Sequence, residues 1–217
     1  MLQAVEKLGQ VVTFVRNASS YLSYMQGGMA DKEIISRVLQ GDRQFFAELV
    51  NRHQHFVFTI ALRYARNRQD AEEIAQDVFV KAYRSLADYK QTAKFSTWLY
   101  AITANTCSSF LRKKKLETRS LTDQQIFDQA NNYHAGSNDI VANTSGANLL
   151  NRAMRLLNAE DSTIITLFYK GDQSIEEIGK ILGIKPNNAK VKLHRARQRL
   201  KEKMELHFGN EVREMCG

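Results

Sequence analysis

The chain has 217 residues, 43% of them hydrophobic, and its 31 Lys and Arg outnumber 23 Asp and Glu. That apolar share excludes wholesale disorder, and the net charge of +8 points to an anionic partner, with nucleic acid ahead of a membrane surface. Two cysteines without Cys-x-x-Cys or Cys/His spacing exclude a zinc site and a disulfide framework, and no apolar run approaches a membrane span.

One proline and eleven glycines leave few breaks, so the composition favours helices. Residues 1–28 match nothing that follows, and Gln26-Gly-Gly28 interrupts them just before Met29. They are read either as an extension or as sequence ahead of a translation start at Met29. Ile34, Ile35, Val38 and Leu39 mark a first helix that stops at Gly41. Asp42 is the expected cap of a second helix, whose apolar stripe runs from Phe45 to Tyr64. Asp70 is the expected cap of a third, with Glu73 as its reciprocal partner. After the loop Ala87–Lys94, Ser96 or Thr97 caps a fourth helix containing Trp98, Ala101, Ile102 and Phe110, which ends in Arg112-Lys-Lys-Lys115.

Residues 117–148 are polar, lack periodicity and carry a net charge of about −3, between blocks of about +6 and +4. They are expected to be a flexible linker. Beyond it, Leu149, Leu150, Leu156 and Leu157 mark one helix, and Ile164, Ile165, Leu167 and Phe168 the next. Then comes the most informative stretch. Ser174 with Glu177 makes a capping box, Gly183 sits where the chain must turn, and Pro186 opens the following helix. At about 100° per residue, Ala189, Leu193, Ala196 and Leu200 form one buried stripe. Asn187, Asn188, Lys190, Val191, His194 and Arg195 lie away from it. This is a helix-turn-helix whose second helix can enter a DNA major groove, with those six residues as its candidate contacts.

The first block narrows the reading. Asp70-Ala-Glu-Glu-Ile-Ala-Gln-Asp-Val-Phe-Val-Lys-Ala-Tyr-Arg84 and Phe95-Ser-Thr-Trp-Leu-Tyr-Ala-Ile-Thr-Ala-Asn105 closely resemble region 2 of bacterial sigma factors. The Leu156–Leu200 segment resembles their region 4. The order of the blocks resembles the extracytoplasmic-function (ECF) branch of the sigma-70 family. The resemblance implies an all-α protein of two small helical domains. Region 2 would span 29–116, the linker 117–148, and region 4 149–208, followed by a tail, 209–217.

It also implies a function: an alternative sigma factor that binds core RNA polymerase, directs it to −35 and −10 promoter elements and promotes melting. The partners implied are core RNA polymerase, promoter DNA and, as in many members of this branch, an anti-sigma factor. No enzyme activity, cofactor, metal or small-molecule substrate is implied, and the location expected is cytoplasmic. Glu73, Gln76 and Asp77, on an acidic face ill suited to DNA, would dock core polymerase. Tyr89, Lys90, Lys94, Asn105, Arg112 and Lys113 would meet the −10 element, supplying the aromatic, amide and cationic groups that hold an unpaired strand. Ser109 stands where many relatives carry aspartate. Trp98 reads as core. The rival reading is a stand-alone regulator that binds its operator without polymerase.

Overall fold

The computed structural model describes residues 29–119 and 145–216. The N-terminal extension and most of the expected linker lie outside them. Every regular element among the described residues is helical.

Helix α1, Asp31–Leu39, buries Ile34, Ile35 and Val38. Gly41, at φ 112°, turns the chain into a 3-10 turn at Arg43–Phe45 and then α2, Phe46–Ala65. Asp42 precedes the 3-10 turn and makes no capping bond, so it is not the cap expected from its residue type. Arg66, left-handed at φ 60°, ends α2.

Helix α3, Arg68–Arg84, is capped by Asn67, whose side chain accepts the Asp70 N–H. Asp70 is therefore the returning member of the pair, accepting the Asn67 amide at 2.7 Å, and not the cap. The earlier of two cap-type residues three apart takes the N-cap place. The Asp70 carboxylate also accepts Lys114 Nζ at 2.8 Å, tying α3 to the far end of α4.

Helix α4, Phe95–Arg119, starts before both of its expected caps. The Trp98 N–H already bonds the Lys94 carbonyl, so Ser96 and Thr97 belong to the first turn. The helix also continues past the basic run that was expected to end it. On the other side of the expected linker, α5 already begins at Ser145 and ends at Arg155, leaving Leu156 and Leu157 just beyond it.

Helix α6, Ala159–Tyr169, is capped by Asn158 and buries seven consecutive residues, Asp161 to Leu167. A helix without a wet face is a helix packed on all sides. It touches α2, α7 (Ile175–Leu182) and α8 (Pro186–Cys216). Asp161, buried among them, accepts Arg199 at 2.6 Å and the Asn158 amide at 2.8 Å, the pairing that a buried carboxylate requires. Helix α8 bends at Phe208, whose φ of −136° is not helical. The bend lets Phe208 close on Leu149 and Ala153, with the Arg152 guanidinium 4.5 Å above its ring.

The expected two units are α1–α4 and α5–α8. They are not held apart. One apolar core runs through both, from Ile60, Ile74 and Leu99 to Leu157, Ile164, Ile178 and Leu193.

Candidate nucleic-acid interface

The helix-turn-helix is built by local chemistry. The Ser174 N–H donates to Glu177 Oε2 at 2.8 Å, and the Glu177 N–H donates to Ser174 Oγ at 3.2 Å, closing the capping box. Gly183 takes the left-handed conformation, φ 65°, that ends α7. The turn doubles back so tightly that a Cβ on Gly179 would stand 2.9 Å from the Ile184 carbonyl. That second glycine requirement was not apparent from the sequence, because only the fold brings this carbonyl against the helix.

In α8, Ala189, Leu193 and Ala196 are buried and Leu200 is half-buried, as the helical stripe requires. Asn187, Asn188, Lys190, Val191, His194 and Arg195 are all exposed, and Val191, an apolar residue, is 48% exposed. The other basic residues of the helix up to Arg199 are engaged within the protein. Lys192 pairs with Glu160, Arg199 with Asp161, and the Arg197 guanidinium lies 4.9 Å from the Phe168 ring and 5.1 Å from that of Tyr169. The charge of α8 thus divides into a structural half and an outward half. Neutral contact residues and two outward cations remain for a groove, a composition suited to reading base edges while holding phosphates.

In the first unit the expected strand-holding residues separate into two sorts. Lys90, Lys94, Asn105, Arg112 and Lys113 are exposed, and Arg112 donates to Ser109 Oγ at 3.0 Å. Tyr89 is different. Its ring lies 5.1 Å from Trp98 and 5.8 Å from Phe95, and its hydroxyl donates to the Ala93 carbonyl at 2.6 Å. It is tied into a half-buried aromatic cluster that shapes the loop, so it does not stand clear as a stacking platform. Trp98 is half-buried in the same cluster, close to its reading as core.

Glu73, Gln76 and Asp77 are exposed together on α3, while Asp70 leaves that acidic face for its ties to Asn67 and Lys114. Burial raises the Asp70 carboxyl, but Lys114 and Asn67 outweigh it and hold the group below its ordinary value. Asp77 keeps a loose i, i+4 pair with Lys81 at 3.9 Å, worth little at such exposure.

Sequence reasoning missed a set of contacts that join the two units beside this surface. Thr97 Oγ1 donates to Gln173 Oε1 at 3.0 Å, both residues buried. Lys94 Nζ stands 3.1 Å from Glu177 Oε1. Arg66 donates to the Leu157 carbonyl at 2.8 Å. Gly171 lies so close to Phe56 that a Cβ there would fall 2.5 Å from the ring. A cleft of about 120 Å³ remains between the units, and Asn105 faces Glu160, Ile181, Leu182, Ile184 and Lys192 across it. Tyr64, on the same wall, has its hydroxyl pushed up to about 12 by burial. Residues this far apart in the chain leave no period in a sequence, so none of this could be read there.

No helix among the described residues is long and apolar enough to cross a membrane. Residues 49–117 match the family model for sigma-70 region 2, and residues 147–200 match that for sigma-70 region 4. The ECF RNA polymerase sigma factor SigW of Bacillus subtilis is 30% identical over 182 residues, covering 81% of this chain and 97% of that protein. The ECF RNA polymerase sigma-E factor of Escherichia coli K12 is 27% identical over 189 residues, covering 83% and 97%. Among solved structures, CnrH in complex with the cytosolic domain of CnrY superposes with a TM-score of 0.58 at 21% identity, over 82% of this chain and 99% of that one. The sigma factor RpoE bound to the anti-sigma factor NepR, from Bartonella quintana, gives 0.57 at 20% identity, over 75% and 98%. With both regions matched in order and a full-length relative at this identity, the chain belongs to the ECF branch of the sigma-70 family and is an alternative sigma factor.

Proposed function

We propose that the two units divide promoter recognition between them, with α8 reading the −35 element and α4, with the loop before it, holding the −10 strand. The observation that carries this is the sorting of α8. Asn187, Asn188, Lys190, Val191, His194 and Arg195 face solvent together, while every other cation of the helix up to Arg199 is occupied by the protein. Asn187 and Asn188 can pair with base edges, and Lys190 and Arg195 can neutralise phosphates.

Lys90, Lys94, Asn105, Arg112 and Lys113 are the groups for the −10 strand after melting. Tyr89 supports them through the loop it holds. The exposed Glu73, Gln76 and Asp77 dock core RNA polymerase, whose partner surface must then be basic. The protein itself makes and breaks no covalent bond and acts in the cytoplasm, with an anti-sigma factor as a further partner.

Run-off transcription with purified core polymerase on the promoter of the protein's own operon tests the reading. The expected result is a discrete transcript that requires the protein. Tight, specific binding of that promoter by the protein alone, unchanged by core polymerase, would instead make it a stand-alone regulator.

A further inference from the structure

A lone apolar side chain at a protein surface is ordinary, but Val191 stands where its chemistry is unlike everything around it. It is 48% exposed on the outward face of α8, and every helical neighbour on that face is polar. One turn before it are Asn187 and Asn188, one turn after it His194 and Arg195, and all four are exposed. Lys190, just before it in the chain, is exposed too. The apolar stripe of the same helix, Ala189, Leu193 and Ala196, is buried on the other side. Val191 belongs to neither apolar cluster among the described residues. Helix formation does not call for it either, since valine is a poorer helix former than alanine, lysine or glutamine.

Its position adds to its chemistry. Val191 lies in the second turn of α8, which starts at Pro186, and in the middle of the candidate contacts. The early turns of a recognition helix meet base edges, and the centre of an interface is where water is most fully excluded. A valine there offers no donor or acceptor, so against a polar base edge it would leave groups unpaired, at a cost. One base presents an apolar group in the major groove: thymine, through its C5-methyl. We propose that Val191 reads a thymine of the −35 element by packing its γ-methyl groups against that C5-methyl. This contact rests on the −35 assignment of α8 above. It divides labour within the outer face. Asn187 and Asn188 pair with polar base edges, Lys190 and Arg195 hold phosphates, and Val191 selects an A·T pair in one orientation, because cytosine in the same place lacks the methyl.

The test uses the full chain and a fluorescein-labelled duplex carrying the −35 element of the promoter of the protein's own operon. Each thymine of both strands is replaced in turn by deoxyuridine, which removes the methyl and keeps every hydrogen-bonding group. Fluorescence anisotropy reads the affinity of wild type, Val191→Ala and Lys190→Ala for each duplex. Alanine is the better helix former, so Val191→Ala does not act by weakening α8.

In the wild type, conversion of one thymine, or of two adjacent ones, to uracil should lower affinity about fourfold, the effect of burying one methyl group. Val191→Ala should weaken binding of the unmodified duplex by about that factor or more, and should no longer distinguish thymine from uracil. Lys190→Ala should weaken every duplex alike and keep the wild-type ratio. A scan in which no thymine matters overturns the proposal, as does a Val191→Ala chain that keeps the full ratio or a Lys190→Ala chain that loses it. If the wild type binds the −35 duplex no better than a scrambled duplex of the same length, the −35 assignment of α8 fails and takes the thymine contact with it.

Discussion

The outer face of α8 and α4 with the loop before it carry the same kinds of side chain, amides and cations, yet their surroundings differ. On α8 the six candidate contacts all face solvent, and Lys192, Arg197 and Arg199 are held by Glu160, the Phe168 ring and Asp161. Around α4, Lys94 is paired with Glu177, Thr97 is buried and Asn105 looks across a narrow cleft at the other unit, while Lys90, Arg112 and Lys113 are exposed. One candidate surface stands clear of the rest of the protein, and the other borders the second unit at Lys94 and Asn105. The difference teaches that residue type alone does not make a surface available. What sits opposite decides it.

The acidic face of α3 belongs to the first unit and is exposed, as the proposed docking of core polymerase requires. Asp77→Lys should lower affinity for core polymerase on the order of 100-fold, since a like charge at a docking surface costs several kcal/mol. Holoenzyme assembly measured by size exclusion or anisotropy checks this. A loss of promoter-duplex binding by the free chain of the same size would indicate misfolding and break the contrast.

A smaller effect sharpens the open side of the comparison. Replacing Lys190 and Arg195 with alanine should weaken binding of a −35 duplex by about 10- to 100-fold, and should flatten the salt dependence by nearly two units, about 0.9 for each lost phosphate contact. Titrations across a salt series read both. An unchanged slope would move these two cations off the DNA.

The smallest effect concerns the side that borders the second unit. Burial pushes the Glu177 carboxyl up, but the Ser174 N–H and Lys94 outweigh it, so its pKa lies below the ordinary 4.5. A lowered carboxylate contributes stability above its unfolded value and loses it as pH falls through the folded value. The 94–177 contact should therefore be constant from pH 8 to about 5 and weaken only below 4.5. The difference in Tm between the wild type and Lys94→Met, followed across that pH range, checks the window. Ser174→Ala, which removes one member of the capping box, should cost about 1 kcal/mol and lower Tm by roughly 2–4 °C. A calorimetric melt that does not move would mean that the box contributes nothing to α7.

The sequence was most legible where structure is made by near neighbours. Ser174, Glu177, Gly183 and Pro186 could be placed because a cap, a left-handed turn and a helix-start proline each depend on a few bonds nearby. The all-helical fold followed from periodicity and the shortage of breaks. The misplaced caps had a different cause. Asn67 and Asp70 are both cap-type residues, and only the fold shows which begins the helix. Tyr89 looked like a platform for a base because its ring partners, Phe95 and Trp98, reach it through a loop. The joining of the units was invisible for a related reason. Phe56 and Gly171 are an ordinary aromatic and an ordinary glycine until they meet.

Helix α6 carries a consequence for how such a protein can change over time. With Asp161 to Leu167 buried without interruption, its middle turns have no position facing only solvent. The helix supports α7 and α8 on some sides and meets α2 on another. Residues there answer to two requirements at once: the fit of the helix-turn-helix and the contact between the units. Variation that alters the contact between the units without touching α6–α8 is therefore confined to the first unit's wall, at Phe56, Arg66, Lys94 and Thr97.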